Sequence, residues 1–229
     1  MNFRPAIGFI ILISTSFSLT ACSRPLAYQI PPPDKSLSIH DKLDRIVAIR
    51  RDKGSASDFP LNPGLTRNQI AELTKGLRFK FPEELVQLYL WRNGSPADSQ
   101  SAALFRDQRF LPLAEAVDHY RQMLTYYPFD VWSLDRIGKV DLRDCFPFAG
   151  LDGSAWAVNS GGEFSGYHPV ISVFEGVELF FWSFDHMLDT VLDWCAQGDH
   201  SADGVTLTRE QELRIWKAHN KGIFVQSGA

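Results

Sequence analysis

Apolar residues at helical spacing predict α-helices in the first and last parts of the chain. Three of these segments begin with a capping box, in which a Ser or Thr and a residue three positions later satisfy backbone N–H groups at the helix start. The boxes start at Ser38, Thr66 and Thr208. The other predicted helices begin at Pro82, run from Leu113 to Leu124, and run from Phe184 to Cys195.

Short apolar and aromatic runs in the middle of the chain predict β-strands, because Gly-containing turn signals separate them. Glu175-Gly176 joins two of the runs, Val170–Phe174 and Leu179–Trp182, into a predicted hairpin. Helices come first, strands follow and helices end the chain, which is typical of an α+β fold and not of a βαβ repeat. The other runs are Phe146–Ala149 and Ala155–Val158, beside turns at Asp152-Gly153 and Gly161-Gly162.

The first 22 residues have the three-part plan of a secretory signal. Arg4 gives a short cationic end, and the apolar run Ala6–Leu19 is too short and too interrupted for a bilayer span, which needs about 20 apolar residues. The run leads into Leu19-Thr20-Ala21-Cys22, which resembles a bacterial lipoprotein box. An unlipidated secretory signal or a plain N-terminal anchor helix is the alternative.

The lipoprotein resemblance implies that residues 1–21 are removed as a signal peptide and that Cys22 carries acyl chains. Each buried methylene contributes about 0.8 kcal/mol, so several chains together hold a protein at a membrane. Ser23 after the Cys implies the periplasmic side of the outer membrane where the organism has two membranes. Residues 22–37 include Pro31-Pro32-Pro33, which predicts an extended tether between the lipid and the domain.

Acylation of Cys22 leaves Cys145 and Cys195 as the other cysteines of the chain. An even pair in an oxidising compartment makes a disulfide between them one interpretation. Two buried thiols that pack as small hydrophobic side chains are the alternative. The two residues are too far apart in sequence to form a zinc motif.

Composition and charge exclude several classes of protein. The chain is 45% hydrophobic and 22% charged, which is not the composition of a collagen-like, coiled-coil, wholly disordered or multi-span membrane protein. A formal net charge of −4 disfavours nucleic-acid binding, which draws on clustered Lys and Arg. The sequence contains no GxSxG, GxxxxGK[ST], GxGxxG or HExxH motif. We therefore predict no catalytic residue, no cofactor and no metal ligand.

One polar cluster in a predicted helix has residue types that an enzyme would use. Asp185-His186 with Asp189 has the composition of a metal site or of a His–carboxylate base. The alternative is that Asp185 favours the positive end of the helix while His186 and Asp189 lie on a solvated face.

Three carboxylates near predicted turns make a hydrolase the alternative class of function. Two of them would form a hydrolytic pair if the fold brought them together. Their turn positions favour solvated turn residues instead. The enzyme that this alternative predicts is an envelope hydrolase acting on peptidoglycan or glycan. The three residues are Asp152, Glu163 and Glu175.

A run of aromatic residues leads from the predicted hairpin into the next helix. Side chains alternate between the two faces of a strand, so Phe180, Phe181 and Trp182 cannot all lie on one face. They either fill a core on both sides of the sheet or form an exposed surface that binds a partner. The same two alternatives apply to the aromatic residues Phe184, Trp91, Trp132 and Trp156.

Short motifs follow one another in a specific order between residues 60 and 196. They are Asn62-Pro63-Gly64-Leu65-Thr66, Phe81-Pro82-Glu83-Glu84-Leu85, Leu88-Tyr89-Leu90-Trp91-Arg92-Asn93-Gly94, Phe110-Leu111-Pro112-Leu113, Phe146-Pro147-Phe148-Ala149, Trp156-Ala157-Val158, and Pro169-Val170 with Ser183-Phe184. In order and spacing these motifs resemble the SMI1/KNR4 domains of the SUKH superfamily.

The resemblance implies a non-enzymatic α+β domain with a bent, largely antiparallel sheet and helices packed on it. It covers residues 60–196, so residues 38–59 and 197–229 are expected to be helical extensions. Many bacterial members are immunity proteins that bind a toxin, and fungal relatives regulate cell-wall synthesis. The family varies its binding surface, so no partner-contact residue is carried over.

The front end departs from the family, because most bacterial members are cytosolic. We therefore expect an envelope-anchored, non-catalytic module whose partner is a protein, such as a toxin domain that acts in the periplasm. The membrane is contacted only through the N-terminal lipid. The alternatives are the envelope hydrolase and a structural lipoprotein of the cell envelope.

Overall fold

The computed structural model of the chain describes residues 30, 32–53, 60–96, 103–127, 131–134, 137–151, 153–161, 164, 166–174, 176–201 and 204–223. The predicted signal peptide, the lipid attachment at Cys22 and the first part of the tether lie outside the described residues. The same holds for the carboxylates Asp152, Glu163 and Glu175.

The predicted helices form, and all three capping boxes close as the sequence indicates. The second helix is shorter than its apolar spacing predicts: it ends at Leu73, which is exposed, and only Ile70 of its face is buried. The α-helices are α1 (Ile39–Asp52), α2 (Arg67–Leu73), α3 (Glu83–Trp91), α4 (Leu113–Tyr126), α5 (Phe184–Gln197) and α6 (Arg209–His219).

Six of the strands form one antiparallel sheet in the order β1-β2-β5-β6-β7-β8. The remaining strands make two separate pairs, β3 with β4 and β9 with β10. Together with the helices, this sheet is the α+β fold that the sequence predicts. The strands are β1 (Ala103–Phe105), β2 (Gln108–Phe110), β3 (Val131–Leu134), β4 (Gly138–Asp141), β5 (Cys145–Leu151), β6 (Ser154–Asn159), β7 (Val170–Val173), β8 (Val177–Phe181), β9 (Asp199–Ser201) and β10 (Gly204–Thr206).

Register shifts interrupt the pairing between neighbouring strands of the sheet. Phe148 is extra in the β5–β6 ladder, because Pro147 pairs with Ala157 and Ala149 pairs with Trp156. A second shift lies between Val170 and Ile171 in the β7–β8 hairpin. Such bulges bend a strand and increase its twist, which agrees with the predicted bent sheet.

Gly94 illustrates how a glycine fixes the junction between α3 and α4. Asn93-Gly94 is typical of the left-handed end of a helix, but α3 already ends at Trp91. Gly94 has φ +69°, and a Cβ at this position would lie 2.2 Å from the backbone nitrogen of Pro112. The glycine therefore serves the close approach of two backbones.

α5 is the central helix, and both predicted helical extensions pack on it. α1 lies alongside α5 in the same direction: Lys42 contacts Asp185 near the two helix starts, and Lys53 Nζ donates to the Ala196 carbonyl oxygen near the two ends. α6 packs on α5 from another side, and Trp216 is buried. The described parts of both extensions thus share one hydrophobic core with the sheet.

The two ends of the sheet differ in what they carry. The β5–β6 and β7–β8 turns lie at the same end, because Ala155 pairs with Val173 beside both turns; we call this the hairpin end. At the opposite end β8 finishes at Phe181, which pairs with Val170, and α5 begins at Phe184. α5 therefore starts far from the hairpin end and runs back toward it.

Candidate protein-binding surface

Large apolar side chains are exposed mainly at the hairpin end. Tyr126 is 78% exposed and Phe174 is 58% exposed, although neither position requires an aromatic residue for packing. Tyr127 and Leu151 are also exposed and lie at the same end. We call these four residues and the two grooves beside them the hairpin-end surface.

The first groove has a volume of about 380 Å³ and lies between the end of α4 and the sheet. Tyr126 and Tyr127 extend from the last turn of α4, and the paired residues Ala155 and Val173 form the floor. The wall is completed by His119, Gln122, Met123, Pro147, Gly153 and Ser154.

The second groove has a volume of about 450 Å³ and lies on the other face of the sheet. Its floor contains Trp156 and Ser172, which pair with each other. Trp156 follows Ala155 and Ser172 precedes Val173, and both of these neighbours line the first groove. Neighbouring residues in a strand point to opposite faces. The two grooves therefore flank the hairpin tips. The remaining lining residues are Arg106, Asp107, Gln108, Leu151, Ser154, Phe174 and Phe180.

The end of the β5–β6 turn contributes a residue that lines both grooves. Gly153 adopts φ +85°, a conformation that a glycine adopts without strain. Ser154 lines both grooves, and its Oγ donates a hydrogen bond to the carbonyl oxygen of Leu151 at 2.7 Å. The turn is therefore fixed by its own backbone and side chain, while Leu151 stays exposed.

The sequence offered a binding surface as one alternative for the aromatic run from Phe180 to Phe184, but the run lies in the core. Phe181, Trp182 and Phe184 are fully buried, and Trp182 Nε1 donates to the Lys221 carbonyl oxygen at 3.0 Å. Phe180 packs on Trp156. The two-sided core is thus the correct alternative for this run. Trp91 is also buried, and Trp132 packs partly buried against the core.

Sequence reasoning missed the exposed aromatic residues. Phe174 directly follows the last residue of β7, and Tyr126 and Tyr127 follow the last apolar residue of the α4 stripe. Each of them lies within three residues of the last periodic position that fills the core. An apolar residue immediately past the end of a periodic pattern was the signal that could have found them.

The Asp185–His186–Asp189 cluster packs against α1 and is not a solvated face. Lys42 is fully buried, and its Nζ lies 2.7 Å from Asp189 and 3.0 Å from Asp185. We call these three residues the ion cluster. Asp189 and His186 are both buried, so the prediction of a solvated face is wrong. The carboxylates point toward α1, which the sequence pattern of α5 alone does not show.

His186 and the other candidate ligands have partners within the fold. The His186 ring nitrogen Nδ1 lies 2.8 Å from the Ser183 hydroxyl, which also caps α5. Among the described residues there is no group of three or more His, Cys, Asp or Glu side chains that could hold a metal ion. The two carboxylates of the ion cluster compensate the charge of Lys42, which would otherwise be costly to bury.

Cys145 and Cys195 are not joined by a disulfide in this structure. Both thiols are buried in different places: Cys145 Sγ donates to the Asp141 carbonyl oxygen at the start of β5, and Cys195 lies near the end of α5 beside Arg50. Burial raises the pKa of Cys145 and raises the pKa of Cys195 to about 11. The alternative of two buried thiols describes them.

No helix in the described part of the chain combines the length and apolar character that a membrane span requires. No curated protein is similar enough to the chain to count as a match. The family model of the SMI1 / KNR4 family (SUKH-1) matches residues 64–190. This range contains the whole sheet and extends from the loop before α2 into α5. The match covers more than half of the 229 residues, so the chain belongs to the SMI1/KNR4 family (SUKH-1).

Proposed function

We propose that the protein is a non-catalytic protein-binding module of the immunity type, held in the cell envelope by acyl chains on Cys22. The hairpin-end surface is the binding site. The observation that carries this proposal is the exposure of Tyr126 and Phe174 on a domain whose other aromatic residues largely fill the core.

Exposed aromatic residues favour recognition over stability at this surface. Contiguous exposed apolar patches on soluble domains mark interaction sites, and Tyr is enriched among the residues that contribute most to binding. Tyr126 and Phe174 stand beside grooves that a partner's side chains can enter. The grooves flank one turn, so a partner can contact both faces of the hairpin tips at once.

The family supports the same interpretation, because the SMI1/KNR4 domain is compatible with an immunity-type module. Such a module acts by covering a surface of its partner, with no bond made or broken. An interface of ordinary size buries about 800 Å² on each side. The four exposed apolar residues of the hairpin-end surface would form the centre of such an interface.

The carboxylates on which the hydrolase alternative mainly rests, Asp152, Glu163 and Glu175, lie outside the described residues. The other candidate pair lacks access, because an acid–base pair must reach a substrate, whereas Asp189 is buried and held by Lys42. His186 is buried as well and lines neither groove.

Affinity capture with matched variants tests the binding site. A soluble Cys22→Ser form is used as bait in envelope extracts, together with Tyr126→Ala/Phe174→Ala and with Leu73→Ala as the control. Leu73 is an exposed apolar residue on α2 and does not line either groove. We expect one protein to be captured by the Cys22→Ser form and the control and to be lost, at least tenfold, with the double variant. Equal capture by all three proteins would overturn the proposed site.

The anchor is tested separately. We expect processing that is sensitive to globomycin and incorporation of labelled fatty acid that disappears in Cys22→Ser. A mature chain that carries no label would remove the anchor from the proposal. A large secreted toxin gene beside this gene favours the immunity type, whereas its absence favours a structural role in the envelope.

A further inference from the structure

The chain that leads into α1 is fastened to the domain from Ile30 onward. Ile30 packs partly buried against the core, and Pro33 is buried. The backbone N–H of Asp34 donates to Asp189 Oδ2 at 3.0 Å, and that of Ser36 donates to Asp34 Oδ1 at 2.8 Å. The described part of the predicted tether therefore belongs to the folded domain.

Asp189 is the residue that fastens this segment. One oxygen of its carboxylate contacts Lys42 Nζ at 2.7 Å, and the other accepts the hydrogen bond from Asp34. Hydrogen bonds to a charged acceptor are stronger than those between neutral groups. The same buried carboxylate therefore holds both α1 and the segment that precedes it.

This fastening point lies at the end of the domain that is opposite the hairpin-end surface. Asp189 is in the second turn of α5, which starts where β8 finishes. α5 then runs back, and the guanidinium of Arg106, which lines the second groove, lies 5.4 Å from the centre of the Trp194 ring near the end of the helix. Strand β8 therefore lies between Phe174 at its one end and the start of α5, with Asp189, beyond its other end.

The fastening shortens the connection to a lipid on Cys22. Only residues 23–29 remain between the acylated Cys22 and Ile30, a distance of eight residue steps. Eight residues span at most about 29 Å even when fully extended. A tether that ran to residue 37 would reach about twice as far.

We infer that the fastened segment orients the domain, with the ion cluster toward the membrane and the hairpin-end surface toward the aqueous space. This inference rests on the proposed lipid attachment at Cys22. The partner that fits such a surface is a soluble protein or a soluble domain that approaches from the aqueous side. A partner embedded in the same membrane does not reach it.

Energy transfer to labelled lipid tests the orientation. The lipidated full-length protein is reconstituted in vesicles of phosphatidylethanolamine and phosphatidylglycerol that contain a lipid-bound acceptor dye. A donor dye is attached through maleimide to Lys35→Cys or to Phe174→Cys, both exposed positions. The buried Cys145 and Cys195 do not compete for the label in the folded protein. We expect transfer to be several-fold greater from position 35 than from position 174.

The outcomes separate the inference from the proposal on which it rests. Equal transfer from the two positions, or greater transfer from position 174, would overturn the orientation while leaving the anchor intact. No transfer from either position, with failure to float with the vesicles, would overturn the anchor itself. Insertion of eight Gly and Ser residues before Ile30 is the matched control, and we expect it to reduce the difference between the two positions.

Discussion

The two ends of the domain use their side chains in opposite ways. Around the ion cluster, a fully buried ammonium group lies against two carboxylates, and one of these carboxylates also accepts a hydrogen bond from a backbone N–H, so that polar groups are satisfied inside the protein. At the hairpin end, Tyr126 and Phe174 face solvent. The two ends therefore differ in kind: one holds a buried polar network, and the other exposes apolar rings to solvent.

Removal of the Asp189 carboxylate should give the largest effect at the ion cluster. Asp189→Ala leaves the Lys42 ammonium buried with only the partly exposed Asp185 as a partner. We expect a loss of about 3–5 kcal/mol in the free energy of unfolding, measured by urea denaturation. Asp185→Asn, at a more exposed position, should cost clearly less. A loss below about 1 kcal/mol for Asp189→Ala would contradict the role of the cluster.

Substitutions at two glycines with similar φ angles distinguish the cost of a packing clash from the cost of backbone strain. Gly94 and Gly153 both have positive φ, but a Cβ at Gly94 meets the backbone of Leu111 and Pro112, whereas a Cβ at Gly153 meets nothing within 4 Å. We expect Gly153→Ala at the hairpin end to cost about 1 kcal/mol from strain alone. Gly94→Ala should cost about 1–3 kcal/mol more because the backbones must move apart. Equal losses in urea denaturation would show that the contact does not matter.

The buried thiols should make the protein less stable in alkaline solution. The pKa of Cys195 is about 11 in the fold, above the value of about 8.5 in an unfolded chain, and burial is the largest cause. The folded state therefore holds the proton more tightly, so this stabilisation is complete below about pH 8.5 and is lost as the pH rises toward 11. We expect the slope to rise from pH 8.5 and to approach about 1.4 kcal/mol per pH unit for each buried thiol.

Urea denaturation at pH 8.5 and 9.5 measures this slope, with Cys195→Ala as the control that removes one thiol. A slope that is the same in both proteins would contradict the prediction. In the Cys22→Ser background, Ellman's reagent should find two thiols after unfolding without reductant and almost none before it. A zero count after unfolding would show that Cys145 and Cys195 are bridged.

We expect the smallest effect on stability from substitution of Phe174, for which Phe181 in the same hairpin is a matched control. Phe181 is fully buried near the ion-cluster end, and Phe174 is exposed at the hairpin end. We expect Phe174→Ala to change the free energy of unfolding by no more than about 0.5 kcal/mol, while Phe181→Ala costs about 3–5 kcal/mol. A loss above about 2 kcal/mol for Phe174→Ala would mean that this ring stabilises the fold and is not kept for a partner.

Much of the fold could be predicted because local signals determine it. The capping boxes at Ser38, Thr66 and Thr208 were correct, since each depends on residues three positions apart. The β7–β8 hairpin was also correct, because a turn and two apolar runs lie side by side in sequence. The strands β1, β2, β3, β4, β9 and β10 were not predicted, since runs of three or four residues give too short a pattern.

The site was harder to predict because it depends on distant contacts. Lys42 and Asp185 are 143 residues apart, and nothing in either helix pattern shows that the two meet. The same limit explains the error at Asp189, where an acidic residue that looked solvated has a buried cation as its partner. At the hairpin end, the exposure of Phe174 follows only from where β7 stops.

The contact between Lys42 and α5 also has a consequence for the order of folding. Closing so long a loop is entropically expensive, and contacts between residues far apart in sequence form slowly. α1 and the segment from Ile30 therefore dock only after the polypeptide has been synthesised through α5. The contacts that hold the amino-terminal segment are thus completed only once α5 is present, so the ion cluster forms late in folding.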